Sequence, residues 1–206
     1  MIISVVGSGG KTTLVKHLAN QYRNAGKTVL VTTSTHMFIE EDTLLTDDAS
    51  VIIHTLQETG YAMAGIPDES KFKALSQETF EAILPYADVV LVEADGSKGF
   101  PLKYPNDTEP VIPEMTDEII VVCGLNALGQ KAKDVCHRLE LVQACLGIEA
   151  DTIITADHVQ KLVSDGYLKP LREKYPNTKI SLQPRHNGSS DQQEIAAMLQ
   201  REQEKA

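Results

Sequence analysis

A glycine-rich segment at positions 7–13 leaves few folds open to this chain, and it reads Gly-Ser-Gly-Gly-Lys-Thr-Thr. An apolar run, Met1–Val6, comes directly before it, and a helical pattern over Lys11–Ala25 overlaps its end. Glycines let the backbone curl so that several N–H groups point at one anion, and a helix N-terminus adds the positive end of its dipole. A strand, a glycine turn and a helix in this order therefore predict a phosphate-binding loop.

The residues of this loop have predicted contacts with a nucleotide. The backbone from Gly9 to Thr13 and the Lys11 ammonium are expected to hold the β- and γ-phosphates, and the Thr12 hydroxyl is expected to bind Mg²⁺. The predicted nucleotide-binding residues are Gly7, Ser8, Gly9, Gly10, Lys11, Thr12 and Thr13.

The loop is tighter than the common pattern G-x-x-x-x-G-K-[ST], which would require glycine at Val5. The tighter form, G-x-x-G-K-T-T, resembles the loop of the Mur ligases and is similar to the G-G-x-G-K-T-T loop of a P-loop class that forms dimers. A dinucleotide fingerprint, G-x-G-x-x-G, fits less well, because its third glycine would fall on Thr12 and positions 28–35 carry no acidic residue. The pattern therefore favours a mononucleotide, with a homodimer as one arrangement left open.

Charge and apolar content argue against two classes of partner. A net charge of −10 disfavours a nucleic-acid surface, which needs clustered Lys and Arg. No apolar stretch approaches the length of about 18 residues that suggests a membrane span, and Met1 already belongs to the first predicted strand. We therefore expect a single cytoplasmic domain over residues 1–206, whose three cysteines form no disulfide framework.

Strands and helices alternate along the chain, which predicts an α/β fold of the P-loop NTPase-like, three-layer type with a mostly parallel sheet. Strands are predicted at Met1–Val6, Thr28–Thr33, Val51–His54, Asp88–Ala94, Glu118–Cys123 and Lys179–Leu182. Helices are predicted at Lys11–Ala25, Ser70–Leu84, Arg138–Leu146, Ala156–Ser164 and after Asp191, with a small helical C-terminal region over residues 137–176. The Gly- and Pro-rich loop Gly96–Pro113 is too long for a routine connection, which predicts a lid or a surface for a second substrate.

The apolar run Val89–Val92 leads directly into two acidic residues, Glu93 and Asp95. The period of a strand places both on one face, and carboxylates beside a phosphate loop bind Mg²⁺ or orient a reacting group. We expect Glu93 to bind Mg²⁺ together with Thr12, and Asp95 to bind metal or substrate or to orient the attacking group. With Lys11 they are the candidate catalytic residues. The alternative is that one of the two acids caps the following turn.

Further candidates for nucleotide contacts are spread over three segments. Thr35 and His36 end a hydroxyl-rich stretch at the carboxyl edge of the sheet, where α/β proteins bind ligands; its hydroxyls would otherwise bond their own backbone. Lys98 follows Asp95 closely, so it is predicted to reach a phosphate or that carboxylate, with a solvated surface lysine as the alternative. Arg138 begins a predicted helix, where the dipole disfavours a cation, and this points to an anionic partner.

Several segments taken together resemble one family. They are Val5–Thr13, Thr32–His36, Val92–Lys98, Pro101–Lys103, Glu109–Pro113, Gly124–Gly129 and His137–Arg138. In this order they resemble the YqeC family of accessory proteins for selenium-dependent molybdenum hydroxylases. The resemblance implies a P-loop domain, a role in the maturation of a selenium-containing molybdenum cofactor, and a molybdenum hydroxylase as a partner. Related sequences carry an L-N-K-x-D-like stretch after the last strand, as GTPases do for guanine. This chain reads Leu-Gln-Pro-Arg-His-Asn over residues 182–187, so ATP and GTP both stay open.

These observations predict a Mg²⁺-dependent protein that binds and hydrolyses ATP or GTP during cofactor maturation, or an NTP-dependent transferase. Three alternatives stay open. One is a GTPase-like chaperone or switch for a partner enzyme, and another is a small-molecule kinase or ligase with a Mur-like loop, for which a small molecule would be the second substrate. The third is a nucleotide-binding scaffold without turnover.

Overall fold

The strands and helices of this chain fall into two units in a computed structural model, which describes residues 1–205 and the side chains of residues 1–201. The first unit comprises Met1–Val5, Thr12–Ala94 and Val111–Asp117, and the second comprises Val6–Lys11, Asp95–Pro110 and Glu118 onward. The chain therefore passes from one unit to the other several times. That residues 1–206 form a single domain stays a prediction.

The first unit is built on a mostly parallel sheet. Its strands are β1 (Ile2–Gly7, which leaves the unit after Val5), β2 (Val29–Thr33), β3 (His36–Phe38), β4 (Thr43–Leu45), β5 (Tyr61–Asp68), β6 (Lys71–Lys73) and β7 (Val89–Glu93). Strands β1, β7, β2 and β5 are neighbours in that order and run parallel, and β4 also runs parallel to β5. Strands β6 and β3 extend the sheet in the antiparallel direction.

Burial explains why the central strands have the sequences they do. Every residue of β1, β2 and β7 is buried. Val, Ile, Leu and Thr dominate these strands, as expected where a parallel strand is covered on both faces. The predicted α/β class with a mostly parallel sheet is confirmed.

Three helices complete the first unit. They are α1 (Lys11–Asn24), α2 (Ala49–Thr59) and α3 (Gln77–Ile83), which a 3-10 turn extends over Leu84–Tyr86. Helix α1 begins at the predicted residue and buries Leu14, Val15 and Ala19 along one side. Its sequence carries no helix breaker before Gly26, which follows the helix with a φ of 73°.

The strand predicted at Val51–His54 is wrong, because these residues lie inside α2. Asp48 caps the start of the helix by accepting a hydrogen bond from the Ser50 N–H, and Gly60 ends it with a φ of 70°. Ile52 and Leu56 are the buried residues of α2, and their spacing is that of a helix. The short apolar run at 51–53 has no period of its own, which is why it was compatible with a strand.

The helix predicted at Ser70–Leu84 begins later, at Gln77, because Ser76 caps it by accepting a hydrogen bond from the Thr79 N–H. The earlier residues form β6, in which Phe72 is fully buried. Phe72 packs at Gly65 of β5, where an added Cβ would lie 2.3 Å from its ring. The sequence does not predict strand β5, because Gly65 and Pro67 both disfavour strand formation.

Over its described residues, the second unit combines two pairs of parallel strands with five α-helices. The strands are β8 (Leu102–Lys103), β9 (Glu118–Gly124), β10 (Cys136–His137) and β11 (Lys179–Arg185), with β8 beside β10 and β9 beside β11. The helices are α4 (Ala132–Val135), α5 (Leu139–Leu146), α6 (Ala156–Val163), α7 (Lys169–Lys174) and α8 (Ser190–Lys205), and a π-helical turn over Ser164–Leu168 joins α6 to α7. Helices α5–α7 form the helical region predicted over residues 137–176.

The carboxyl ends of strands carry the candidate site residues of each unit. In the first unit Val5 of β1 pairs with Glu93, the last residue of β7. In the second unit Gly124 and Arg185, the last residues of β9 and β11, are register partners. Among residues 1–205, no helix is long and apolar enough to cross a membrane.

Candidate functional site

Three glycines of the loop have positive φ angles, which other residues rarely adopt: 90° at Gly7, 80° at Gly9 and 118° at Gly10. Space requires glycine as well. A Cβ at Gly7 would lie 2.1 Å from the Val122 carbonyl oxygen, and a Cβ at Gly9 would lie 2.5 Å from Gly124 Cα. The loop therefore curls tightly against the end of β9 directly before α1 begins.

The Lys11 side chain folds back over this loop. Its Nζ donates hydrogen bonds to the Gly7 carbonyl oxygen at 2.9 Å and to Ser97 Oγ at 3.3 Å. Only 4% of Lys11 is exposed. An ammonium beside a glycine turn at the start of a 14-residue helix concentrates positive charge at one point.

Ser8 and Thr13, the other predicted loop contacts, differ in their surroundings. Ser8 is buried, and its hydroxyl donates to the Pro101 carbonyl oxygen at 3.0 Å while its N–H donates to the Val122 carbonyl oxygen at 2.9 Å. Thr13 is exposed on the first turn of α1. Ser8 thus fastens the loop to its neighbours through both of its donors.

The Asp95 carboxylate anchors the glycine loop through a hydrogen bond from its backbone. Its Oδ2 accepts hydrogen bonds from the Gly7 N–H at 3.0 Å and from the Tyr167 hydroxyl at 2.7 Å, and its Oδ1 forms an ion pair with Lys103. The Asp95 and Lys103 side chains are completely buried. Both carboxylate oxygens therefore have partners, and one of those partners, the Gly7 N–H, belongs to the glycine loop. The predicted role of Asp95 at a metal, a substrate or an attacking group stays a prediction.

Lys103 connects Asp95 to a second acid. Its Nζ also contacts the Gly96 carbonyl oxygen, and it lies 2.6 Å from Glu109 Oε2. The same oxygen of Glu109 accepts a hydrogen bond from Arg138 Nη1 at 2.5 Å. We call Asp95, Lys103, Glu109, Arg138 and Tyr167 the buried network. It gives Arg138, which the sequence singled out as a nucleotide contact, an acidic partner within the protein.

Two opposing effects act on the Glu109 carboxyl. Partial burial alone would raise its pKa, but hydrogen bonds from Arg138 and Lys103 outweigh burial and hold the pKa below its usual value. The hydrogen bond to Glu109 in turn raises the pKa of Arg138. Burial, followed by the neighbouring Asp95 charge, raises the pKa of Tyr167 well above its usual value, so the hydroxyl keeps its proton and donates.

In the first unit, Thr12 and Glu93 are in direct contact. The Thr12 hydroxyl donates to Glu93 Oε2 at 2.7 Å, and Glu93 is 7% exposed. Hydroxyl and carboxylate oxygens are the ligands that Mg²⁺ prefers, so the pair fits the predicted metal. Among the described residues, no group of three or more His, Cys, Asp and Glu side chains could hold a metal. Mg²⁺ commonly takes several of its ligands from phosphate and water.

The hydroxyl-rich segment after β2 connects to Glu93 through Thr33. Thr33 Oγ1 donates to the Glu93 carbonyl oxygen at 2.7 Å and accepts a hydrogen bond from the Thr35 N–H at 3.0 Å. Thr35 thus lies one hydrogen bond further from Glu93. His36 begins β3, is exposed, and places its Nε2 3.0 Å from Asp68 Oδ2.

Lys98 belongs to the second unit and is exposed, with a φ of 49°. A positive φ at a residue other than glycine or asparagine is uncommon and marks a tight turn. The neighbouring Phe100 ring stacks on the His137 ring at 5.9 Å between centroids.

A cavity of about 350 Å³ opens beside the glycine loop in the second unit. Its lining residues are Gly9, Gly10, Gly99, Pro101, Asn126, Arg185, His186 and Asn187. Arg185 packs on the loop, since a Cβ at Gly10 would lie 3.2 Å from Arg185 Cγ. A cationic side chain and two amide groups thus line this cavity together with the backbone of the glycine loop.

Sequence reasoning missed Lys103, Glu109, Tyr167 and Asn126 as site residues. Glu109 and Lys103 lie in the Gly- and Pro-rich loop that the sequence did single out, so their segment was found without their roles. Tyr167 carries no local signal, because it lies 72 residues from its partner Asp95.

The fold and the site define a mixed α/β protein with a glycine turn of the phosphate-binding type between a buried strand and a helix. The chain belongs to the YqeC family, whose description is "YqeC protein" and whose match covers residues 3–140. It is 33% identical over 171 residues to the "Uncharacterized protein YqeC" of Escherichia coli (strain K12), which spans 79% of this chain and 67% of the relative. The predicted family is therefore confirmed.

A solved structure, the MinC:MinD cell division protein complex of Aquifex aeolicus, is similar at 13% identity and a TM-score of 0.44. The similarity covers 89% of this chain and 67% of the solved chain.

Proposed function

We propose that this protein binds a nucleoside triphosphate with Mg²⁺ and hydrolyses it, or transfers its phosphoryl group, during maturation of a selenium-containing molybdenum cofactor. The observation that carries the proposal is the glycine loop, whose three positive-φ glycines lie between a buried strand and Lys11 at the start of α1. Such a loop presents backbone N–H groups to an anion and adds a fixed ammonium charge.

The β- and γ-phosphates would be held by the backbone from Gly9 to Thr13 and by Lys11. In this proposal Lys11 exchanges its hydrogen bonds to Gly7 and Ser97 for phosphate oxygens. The hydrogen bond from Gly7 to Asp95 keeps the loop curled while this happens, because the buried network anchors the Asp95 carboxylate. Catalysis of phosphoryl transfer depends mainly on this kind of positioning and charge neutralisation.

Thr12 and Glu93 would hold the metal ion. Thr12 follows Lys11 in the first turn of α1, and its hydroxyl already lies against Glu93. When bound, Mg²⁺ would offset the negative charge of the phosphates. The hydrogen bonds from Thr33 and Ser34 to the Glu93 carbonyl oxygen fix the end of β7 and hence the position of this carboxylate.

The cavity beside the loop is our candidate for the nucleoside. Arg185 brings a cation next to Gly10, where it would lie close to a phosphate, and Asn126 and Asn187 bring amide groups. An amide both donates and accepts hydrogen bonds, so it suits the edge of either purine. We therefore propose ATP or GTP as the nucleotide.

The proposed place of this activity in selenium and molybdenum metabolism rests on what the resemblance of the motifs to the YqeC family implies. A cellular experiment tests it directly. In a host that makes a selenium-dependent molybdenum hydroxylase, replacing the chromosomal copy by Lys11→Ala should lower the selenium bound to that enzyme and leave its molybdenum unchanged. Selenium content equal to that of the wild-type host would contradict this role.

The Glu93→Gln variant tests the metal pair. We expect the affinity for nucleotide without Mg²⁺ to change little, because the amide keeps the size of the side chain and a hydrogen-bond acceptor for Thr12. The gain in affinity on adding Mg²⁺ should fall by about tenfold, since one charge-assisted contact contributes about 1.5–3 kcal/mol. Titration of nucleotide at two Mg²⁺ concentrations measures both quantities, with Glu40→Gln as a surface control. An unchanged Mg²⁺ effect would remove Glu93 from the metal site.

A further inference from the structure

A second cavity, of about 430 Å³, lies within the first unit at the carboxyl ends of β2 and β7. Its deepest residues are buried and come from these two strands and the segment before α3: Thr32, Thr33, Val92 and Leu75. A cavity of this volume can accommodate a small organic molecule. It is separate from the cavity beside the glycine loop, which is lined by other residues.

The walls of this cavity are mainly apolar. Phe80 of α3 supplies an aromatic face, Ile112 and Pro113 approach from the end of the long loop, and Met115 follows that loop. Met115 is 52% exposed, so a flexible, polarisable side chain stands at the opening. Flat apolar molecules suit such walls, because aromatic rings and thioethers pack well against planar groups.

The charged groups at the rim are acids rather than cations. Glu81 and Glu114 are exposed acids at the opening, and Glu81 Oε1 accepts a hydrogen bond from Gln77 Nε2 at 2.9 Å. Among the described residues that line the cavity, none is Lys, Arg or His. An ionised carboxylate accepts hydrogen bonds and repels anions, so the rim favours a ligand with N–H donors and disfavours a phosphate or carboxylate.

The floor of the cavity is tied to the residue that we propose for the metal. Thr33 Oγ1 donates to the Glu93 carbonyl oxygen at 2.7 Å, and the Ser34 N–H donates to the same oxygen at 3.1 Å. The Ser34 hydroxyl also donates to the Val111 carbonyl oxygen at 2.5 Å, next to Ile112 in the wall. A molecule in the cavity would therefore rest on the strand end that carries Glu93.

We infer that this cavity binds a small, planar, mainly apolar molecule that is neutral or cationic and that presents N–H groups to Glu81 and Glu114. The inferred binding of this molecule depends only on the cavity and its lining residues. Its role as the second substrate of a nucleotide-dependent reaction rests on the proposed function, because that role requires a nucleotide near Glu93.

A pair of probes with the same body and opposite charge tests the inference. Binding of 2-naphthamidine and 2-naphthoate to the full chain can be followed by ligand-observed NMR and by competition between the two. We expect 2-naphthamidine to bind at least about tenfold more tightly, the ratio that corresponds to about 1.4 kcal/mol. Equal affinity of the two probes, or no binding of 2-naphthamidine at millimolar concentration, would overturn the inference.

Variants locate the binding. Phe80→Ala should lower the affinity for 2-naphthamidine by about tenfold, because aromatic packing is lost. The double variant Glu81→Gln and Glu114→Gln should weaken it by about three- to fivefold, because exposed ion pairs contribute little each. Glu78→Gln changes an exposed acid of the same helix that does not line the cavity, and it should have no effect. A loss in the Glu78 variant as large as in the double variant would show binding outside the cavity.

The same samples separate this inference from the proposed function. Lys11→Ala should lose nucleotide binding and keep 2-naphthamidine binding. If wild-type protein binds the probe in the cavity but no nucleotide, the cavity stands and the proposed function falls. If it binds nucleotide but shows none of the probe preference, the cavity inference falls and the proposed function stands.

Discussion

Replacing Lys103 by methionine is expected to lower the free energy of unfolding by about 3–5 kcal/mol, because it leaves the fully buried Asp95 carboxylate without its cation. The Lys103 side chain is completely buried and contacts both Asp95 and Glu109. Methionine keeps most of the volume, so the loss reports the charge rather than a void. For a chain of this size each 1 kcal/mol corresponds to about 2–4 °C in melting temperature. Urea unfolding followed by circular dichroism measures the effect.

Lys98→Met is the matched control, because Lys98 is an exposed lysine of the same loop. We expect it to change stability by no more than about 0.5 kcal/mol. Adding Glu109→Gln to Lys103→Met should recover part of the loss, since Arg138 is then the cation for one acid of the network instead of two. If Lys103→Met were as stable as Lys98→Met, the ion pairs of Lys103 would not stabilise the fold.

The Lys11→Ala variant should bind nucleoside triphosphate at least about 100-fold more weakly than wild type, since hydrogen bonds to charged groups contribute about 1.5–3 kcal/mol each and 1.4 kcal/mol is tenfold. Lys11 lies at the start of α1 with its Nζ over the glycine loop, 2.9 Å from the Gly7 carbonyl oxygen. Equilibrium titration with labelled ATP or GTP measures the affinity. Melting temperature without ligand shows that the variant is folded.

Lys16→Ala controls for charge on the same helix. Lys16 pairs with Glu40 at the surface, and 46% of its side chain is exposed. Its loss should leave nucleotide affinity within about twofold, as expected for an exposed ion pair. A folded Lys11→Ala protein that binds as tightly as Lys16→Ala would show that the loop does not hold phosphate.

The elements that the sequence predicts well are those whose signals are local. Neighbouring residues in the sequence are enough to predict three of these features, and the structure has each where it was expected: the glycine turn, the buried strands β1 and β7, and the start of α1. The helix at Ala49–Thr59 was predicted as a strand in part, because a short apolar run is compatible with either a helix or a strand. Strand β5 was not predicted, because pairing with β2 and β6 stabilises it although its glycine and proline disfavour a strand locally.

The candidate site shows the same division. The contact between Thr12 and Glu93 joins two residues that the sequence had already paired, because each carries a chemical signal within its own motif. Lys103 could not be found in this way, since a lysine in a polar loop is usually exposed. Its ion pairs with Asp95 and Glu109, which only the tertiary fold forms, offset the cost of burying its charge. Tyr167 enters from the helical region, and only the tertiary fold brings it to Asp95.

Melting of the wild-type protein with ATP and with GTP, each with and without Mg²⁺, tests the phosphate-binding claim most directly. A nucleotide at about 100 times its Kd stabilises the folded state by about 2.7 kcal/mol, which corresponds to a rise of about 5–10 °C. We expect such a rise with at least one of the two nucleotides, larger with Mg²⁺ and absent in Lys11→Ala. No rise with either nucleotide at millimolar concentration would contradict it.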